Sequence, residues 1–324
     1  MKKISDYSAE AEMALRDLKL SEKEPSSLYA AIDYAMSSGG KRLRPGLLLM
    51  TAESFGGEDA LAQAQKPAVG IELFHNFTLL HDDVMDNAEM RRGRPSVFRK
   101  WDLNTAILSG DTMLTLATDY VAKVKDSLLR PVLKTFNDMA LEVYEGQRLD
   151  MDFETMEEIN SDTYIEMIRK KTGALLGAAC AIGALIGGAS EKDAEQLAVF
   201  GNMLGIAFQI QDDWLDTYGD ASTFGKPIGG DILNDKKTFL WVKAFEGEKG
   251  DVEALRVVLK ELKGEAKIKA VTKIFDKIGL NEKTRQAVGF YSKEALKALK
   301  KTSLSDEAKE PYRLLVEKLT GRKK

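Results

Sequence analysis

The chain has 324 residues, 44% hydrophobic and 30% charged, ample for a large buried core and by length alone compatible with one or two domains. A net charge of -4 with a pI near 5.6 leaves no electrostatic footprint for nucleic acid, and one cysteine, Cys180, excludes an intramolecular disulfide and a cysteine-only metal site. Met1-Lys2-Lys3-Ile4-Ser5-Asp6 holds no apolar signal region, and the longest apolar run, Gly173 to Gly188, is glycine-interrupted and short of a ~20-residue membrane span, so a cytoplasmic protein is expected.

Proline is scarce (7 residues), apolar residues recur at helical spacing, and no strand-type alternation is sustained. The pattern predicts an all-α chain, one helical domain over 1–324. Its helices are expected over 5–19, 25–37, 43–55, 59–86, 101–123, 128–154, 160–187, 190–218, 231–245, 251–263, 266–278, 281–300 and 305–319. Breakers mark the joints: Ser38-Gly39-Gly40, Gly56-Gly57, Arg92-Gly93-Arg94-Pro95, Ser161-Asp162 and Gly219-Asp220. Segment 221–230, with three glycines and Pro227, reads as a mobile loop. Helices 59–86 and 190–218 are apolar on more than one side and are expected inside the bundle. Cys180, in an Ala/Gly-rich apolar stretch, reads as a buried inert thiol.

Each of those two helices carries an acidic array, Asp82-Asp83-Val84-Met85-Asp86 and Asp212-Asp213-Trp214-Leu215-Asp216. In D-D-x-x-D the first and last carboxylates share one helix face at i and i+4. Like charges roughly 6 Å apart repel by about 3 kcal/mol at an effective dielectric near 20. One such array on a helix is most often a solvated face. Two in apolar helices call for a neutralising partner, since isolated buried carboxylates are too costly. Hard divalent cations take oxygen ligands, and Mg2+ bridges carboxylates to substrate phosphates. Basic segments accompany the arrays: Gly39-Gly40-Lys41-Arg42-Leu43-Arg44-Pro45, Arg91-Arg92-Gly93, Lys170-Lys171-Thr172-Gly173, Gly225-Lys226 and Lys236-Lys237-Thr238.

These elements, with Gly146-Gln147-Arg148-Leu149-Asp150 and Phe208-Gln209-Ile210-Gln211-Asp212-Asp213, occur over positions 39 to 238 in the order of the trans-isoprenyl diphosphate synthases. Each is weak alone; together they make the chain closely resemble that family. The resemblance implies a helical bundle around a deep central cavity with the two arrays facing each other at its mouth. It implies a reaction in which an allylic diphosphate ionises and alkylates isopentenyl diphosphate, with proton loss to a product five carbons longer. It implies Mg2+ as cofactor, three ions with substrate bound, and a homodimer. Asp82, Asp86 and Asp212 are the implied metal ligands, with Asp83, Asp213, Asp216 and Asp150 behind them or acting through water. Arg91, Lys171, Lys226 and Lys236 would surround the leaving diphosphate. Lys41, Arg44, His75 and Arg92 would hold the isopentenyl diphosphate, and Thr172 and Gln209 would face the allylic cation. His81 takes no ligand role. The departing diphosphate, rather than a protein base, would accept the proton, and loop 221–230 would exclude water.

Phe77 lies five residues before Asp82, about 7.5 Å down a helix, with Thr78 and Phe74 beside it. A large ring there implies an early floor to chain growth. Phe77-Thr78-Leu79 with an uninterrupted array resembles geranylgeranyl synthases, ahead of farnesyl or longer-chain enzymes. One departure is Phe98, where the family usually has histidine. Competing readings fit less well. A class I terpene cyclase pairs one D-D-x-x-D with an Asn/Ser/Glu triad, and a non-catalytic partner subunit has a degraded array. A ferritin-like di-iron bundle needs two Glu-x-x-His motifs, and the chain has 2 histidines in all, with only Glu72-Leu73-Phe74-His75 matching.

Overall fold

A computed structural model describes residues 2–156, 158–220 and 228–321. The chain is almost wholly helical, as expected, and divides into two compact units, each assembled from three stretches. The first comprises Met1–Asp138, Ala178–Ala198 and Ser303–Pro311; the second comprises Met139–Gly177, Val199–Thr302 and Tyr312–Lys324.

In the first unit, helix α1 (Ile4–Arg16) and helix α3 (Leu43–Met85) pack together, and α3 runs antiparallel to α5 (Leu103–Val121). Glycines allow these close crossings. A Cβ on Gly70 would sit 2.6 Å from Val121 Cγ2 and 2.7 Å from Ala117 O, and Gly110 lies directly under the His81 ring. Gly57, at φ 65 and ψ -157, breaks α3 where two separate helices were predicted. Between α3 and α5 the structure adds two features that periodicity over such short spans does not reveal. One is a hairpin pairing Met90–Arg91 with Arg94–Pro95; the other is the one-turn helix Val97–Lys100.

In the second unit, the predicted helix 160–187 is three pieces: α7 (Ser161–Ile168), a π-helical turn Arg169–Gly173, and α8 (Ala174–Ile186), whose first residues belong to this unit. Gly173 and Gly177 meet Gly205 and Gly201 of α9 (Glu191–Tyr218) backbone to backbone. A Cβ on Gly205 would lie 2.5 Å from Gly173 Cα, and one on Gly201 2.5 Å from Gly177 N. The predicted helix 231–245 is also divided, into Gly230–Leu233 and Phe239–Phe245. The break falls at Asp235, whose φ of 52 is left-handed. Two apolar clusters hold this unit together, one around Phe153, Tyr164, Ile206, Ile210 and Trp241 and one around Ile232, Leu240, Leu255, Val271 and Phe275. Among the described residues no helix is long and apolar enough to cross a membrane.

Candidate active site

Both acidic arrays stand at the C-terminal ends of their helices. Helix α3 ends at Met85 with Asp86 as its C-cap, and α9 ends at Tyr218, two residues beyond Asp216. The negative pole of a helix already disfavours anions, so carboxylates gathered there make strong cation sites. Asp82 and Asp212 are partly exposed and Asp86 is exposed, whereas Asp83, Asp213 and Asp216 are buried. Of the six array carboxylates, Asp82, Asp86 and Asp212 are the ones left at least partly open.

The buried members are committed to the protein. Asp83 accepts from Arg91 Nε at 2.8 Å and Nη2 at 2.5 Å; burial pushes its acidity weaker and Arg91 opposes that. Asp216 accepts from the Asp231 amide at 3.0 Å. Asp213 Oδ2 accepts from Tyr164 Oη at 2.5 Å and the Phe239 amide at 2.9 Å, while Oδ1 accepts from Gln209 Nε2 at 3.1 Å. Burial, reinforced by the nearby charge of Asp231, pushes Asp213 up to about 7.

The Gln209 amide carries this order outward. Its Nε2 is taken by Asp213, so its Oε1 is presented to Thr172, whose Oγ1 donates to it at 3.2 Å. Thr172 lies in the π-helical turn, a form that recurs at functional sites. In the same turn Lys171 Nζ lies 2.5 Å from Asp150 Oδ2. Gly146, one turn before Asp150, makes room for the turn, since a Cβ there would lie 2.8 Å from Lys171 Cα. The structure thus joins Asp150, Lys171, Thr172, Gln209 and Asp213 within the second unit. Lys236 is close enough to Asp213 to restrain its rise in pKa. Lys226 lies outside the described residues.

A cationic cluster occupies the first unit. Arg44 Nη1 donates to His75 Nε2 at 3.1 Å, which leaves the ring hydrogen on Nδ1. Burial, then Arg44, Arg92, Arg42 and Arg91, drive the His75 pKa well below its usual value, so this ring is neutral. Arg92 lies over the glycine turn, its Nη1 donating to Gly39 O and to Ser38 Oγ at 3.3 Å. Arg44 Nε is buried without a hydrogen-bond partner. Lys41 is exposed at the start of the same segment.

Three residues that the sequence did not single out hold these parts. Arg42, 5% exposed, pairs with Glu72 Oε1 at 2.7 Å and Glu12 Oε2 at 2.7 Å and donates to Met36 O at 2.8 Å. Glu72 is itself buried in an apolar helix, the one signal that an inward-facing cation must exist. Tyr164, the buried donor to Asp213, gave no such signal. Below the first array Phe77 stacks edge-on with Phe74 (5.6 Å), which stacks on Phe136 (5.4 Å). Thr78 Oγ1 donates to His75 O, and His81 Nε2 donates to Ile107 O at 3.2 Å. Phe98 lies against the Arg99 guanidinium, in the helix after the hairpin.

The donor set fits Mg2+: the outward groups are hard carboxylate oxygens, Asp82 and Asp86 on one helix turn and Asp212 on the other helix. Among the described residues no group of three or more His, Cys, Asp or Glu is gathered around one point. Mg2+ is commonly held by one or two carboxylates and completed by phosphate and water oxygens.

The family model for polyprenyl synthetase matches residues 25–278. The chain belongs to the polyprenyl synthetase family. This polyprenyl synthetase is 43% identical over 253 residues to the geranylgeranyl diphosphate synthase of Methanosarcina mazei, covering 77% of each chain. It is 34% identical over 306 residues to the geranylfarnesyl diphosphate synthase of Aeropyrum pernix, covering 93% of this chain and 96% of that one. A crystal structure of a geranylgeranyl pyrophosphate synthase superposes with a TM-score of 0.93 at 38% identity over 100% of both chains. The protein is therefore an enzyme of prenyl transfer, and the all-α class read from its periodicity is the fold of these relatives.

Proposed function

We propose that the enzyme joins isopentenyl diphosphate to an allylic diphosphate and that its main product is geranylgeranyl diphosphate. The supporting observation is the orphaned, buried Arg44 Nε among like charges: Arg42, Arg91 and Arg92 all press on the neutral His75 beside it. A polyanion relieves that repulsion and completes the unmet donor. In this reading Lys41, Arg44, Arg92 and His75 hold the isopentenyl diphosphate, which keeps its diphosphate.

Asp82, Asp86 and Asp212 would hold the Mg2+ ions. Bound there, the metal neutralises charge on the leaving diphosphate as the allylic C–O bond breaks. Asp83, Asp213, Asp216 and Asp150 act by orienting their neighbours. Arg91, Lys171, Lys226 and Lys236 add fixed positive charge around the leaving group. The Thr172 hydroxyl and the Gln209 oxygen supply partial negative charge to the allylic cation. The alkene of isopentenyl diphosphate attacks that cation, one carbon–carbon bond forms, and the released diphosphate takes the proton. The Phe77–Phe74–Phe136 stack supports a floor that stops growth at twenty carbons. Exposed Leu103, Ile107 and Leu108 on α5 support a homodimer, and we assign it to the cytoplasm.

The test incubates purified protein with isopentenyl diphosphate, Mg2+ and, in turn, dimethylallyl, geranyl and farnesyl diphosphate, and measures product length. A twenty-carbon product, lost in Asp82→Ala and in Asp212→Ala, is expected. No condensation with any starter, or undiminished turnover in either variant, refutes the assignment.

A further inference from the structure

The stretch 228–239, which carries Lys236, is held from two sides. On one side it is tied to the array itself. Gly229 N donates to Asp216 O at 2.6 Å, Asp231 N to Asp216 Oδ2 at 3.0 Å, and Phe239 N to Asp213 Oδ2 at 2.9 Å. On the other side it rests on helix Gly264–Lys277. A Cβ on Gly229 would lie 2.7 Å from Ile268 Cδ1, and Ile232 enters the core formed by Val271 and Phe275.

Beside Ile268 stands Lys267, 5% exposed. An ammonium removed from water is costly unless it is paired and hydrogen-bonded. The partners of Lys267 both lie in the turn just before Lys236: Asp235 Oδ1 at 2.7 Å and, more weakly, Leu233 O at 3.4 Å. Asp235 is the residue forced to φ 52. That conformation is uncommon outside glycine, though aspartate adopts it more readily than most, and the Asp235 carboxylate is the group Lys267 holds. The turn it makes lets Lys236 N donate to Asp231 O at 2.9 Å, and the Lys236 charge opposes the rise in the Asp213 pKa. An apolar residue would fill the buried volume of Lys267 equally well, but it would leave this turn unanchored.

We infer that Lys267 is a positioning residue for prenyl transfer: through Asp235 it fixes the turn 233–236 and so sets Lys236 at the second array. The inference rests on the role proposed above for Lys236. The test compares steady-state kinetics of Lys267→Met, Asp235→Asn, Lys236→Met and the double variant Lys267→Met/Lys236→Met. Lys267→Met is expected to lower kcat about tenfold, the scale of a sub-ångström misplacement. It should raise KM for the allylic diphosphate and leave KM for isopentenyl diphosphate unchanged. Asp235→Asn should follow in the same direction, and Lys267→Met should add nothing once Lys236 is gone. A merely structural role would instead raise both KM values and give additive losses, which overturns the inference. If Lys267→Met fails to fold, Asp235→Asn, altered on a half-exposed side chain, decides alone: wild-type kinetics in it overturn the inference. A crippled Lys236→Met with normal Lys267→Met and Asp235→Asn overturns this inference only. A normal Lys236→Met removes the role assigned to Lys236 and this inference with it.

Discussion

Replacing Asp213 with asparagine is expected to make the enzyme more stable and much less active. The carboxylate is fully enclosed, and burial with Asp231 nearby lifts it from 3.8 to about 7. A carboxyl whose pKa is higher in the folded state keeps its proton there after the unfolded chain has released it. Its stabilising contribution is therefore complete below about pH 4 and is lost as pH climbs through about 7. At about 1.4 kcal/mol per tenfold change, the rise corresponds to about 4 kcal/mol. Asparagine keeps the shape and cannot ionise. Asp213→Asn should thus gain up to about 4 kcal/mol over the parent at pH 8 and nothing at pH 4. Activity moves the other way. The asparagine oxygen is needed by Tyr164 and the Phe239 amide, so its NH2 must face Gln209. Two donors cannot share that contact, and the Gln209 amide has to turn over, taking its oxygen away from Thr172. Loss of one oriented dipole at a charged transition state costs about 100-fold in kcat. Protonating Asp213 in the parent has the same effect, so parent activity should fall as pH is lowered while the variant is low and flat with pH. Urea unfolding at pH 4 and 8 and a kcat–pH profile make the measurement. Wild-type kcat in the variant, or a loss of stability at pH 8, refutes the reasoning.

Gly146→Ala should push the π-helical turn away from α6 (Asp126–Thr155), costing about 1–3 kcal/mol as overpacking and about 100-fold in kcat through the shift of Lys171 and Thr172; an unchanged Tm with unchanged kcat would show that the turn does not need this gap. Phe77→Ala should lengthen the product by at least one isoprene unit, read by chromatography of the dephosphorylated alcohols, and an unaltered product profile removes Phe77 as the floor. Cys180 is fully buried and burial pushes its thiol up to about 12, so a thiol reagent at pH 8 should find nothing in the native enzyme and one thiol per chain in denaturant; rapid native labelling would contradict the packing around α8.

Local spacing made much of this site legible. Both arrays, the glycine-led basic segments and the Lys-Thr pair are short strings whose chemistry depends on i and i+4 geometry, which any helix supplies. The helical class of the chain was legible for the same reason. What escaped were choices made by distant partners. Lys41-Arg42-Leu43-Arg44 offers three cations, and nothing local says that Arg42 turns inward to Glu72 and Glu12 while Arg44 turns to His75. The π-helical turn at 169–173 depends on Gly146 and Gly205, residues on two other helices. The interruption at 234–238 depends on Lys267, some thirty positions later (267 against 235). Nor did propensity foresee the pairing of Met90–Arg91 with Arg94–Pro95, since two-residue strands fall below the period that patterning can detect.

The aromatic stack of Phe74, Phe77 and Phe136 belongs wholly to one compact unit, and the Thr172–Gln209–Asp213 relay wholly to the other. On the roles proposed above, the floor that measures the chain and the dipoles that face the allylic cation are different side chains in different units. If the rings are the floor, a smaller group on α3 would give a longer isoprenoid while leaving the Thr172–Gln209–Asp213 relay alone. Relatives of such similar sequence named for twenty- and twenty-five-carbon products are what that separation of labour permits.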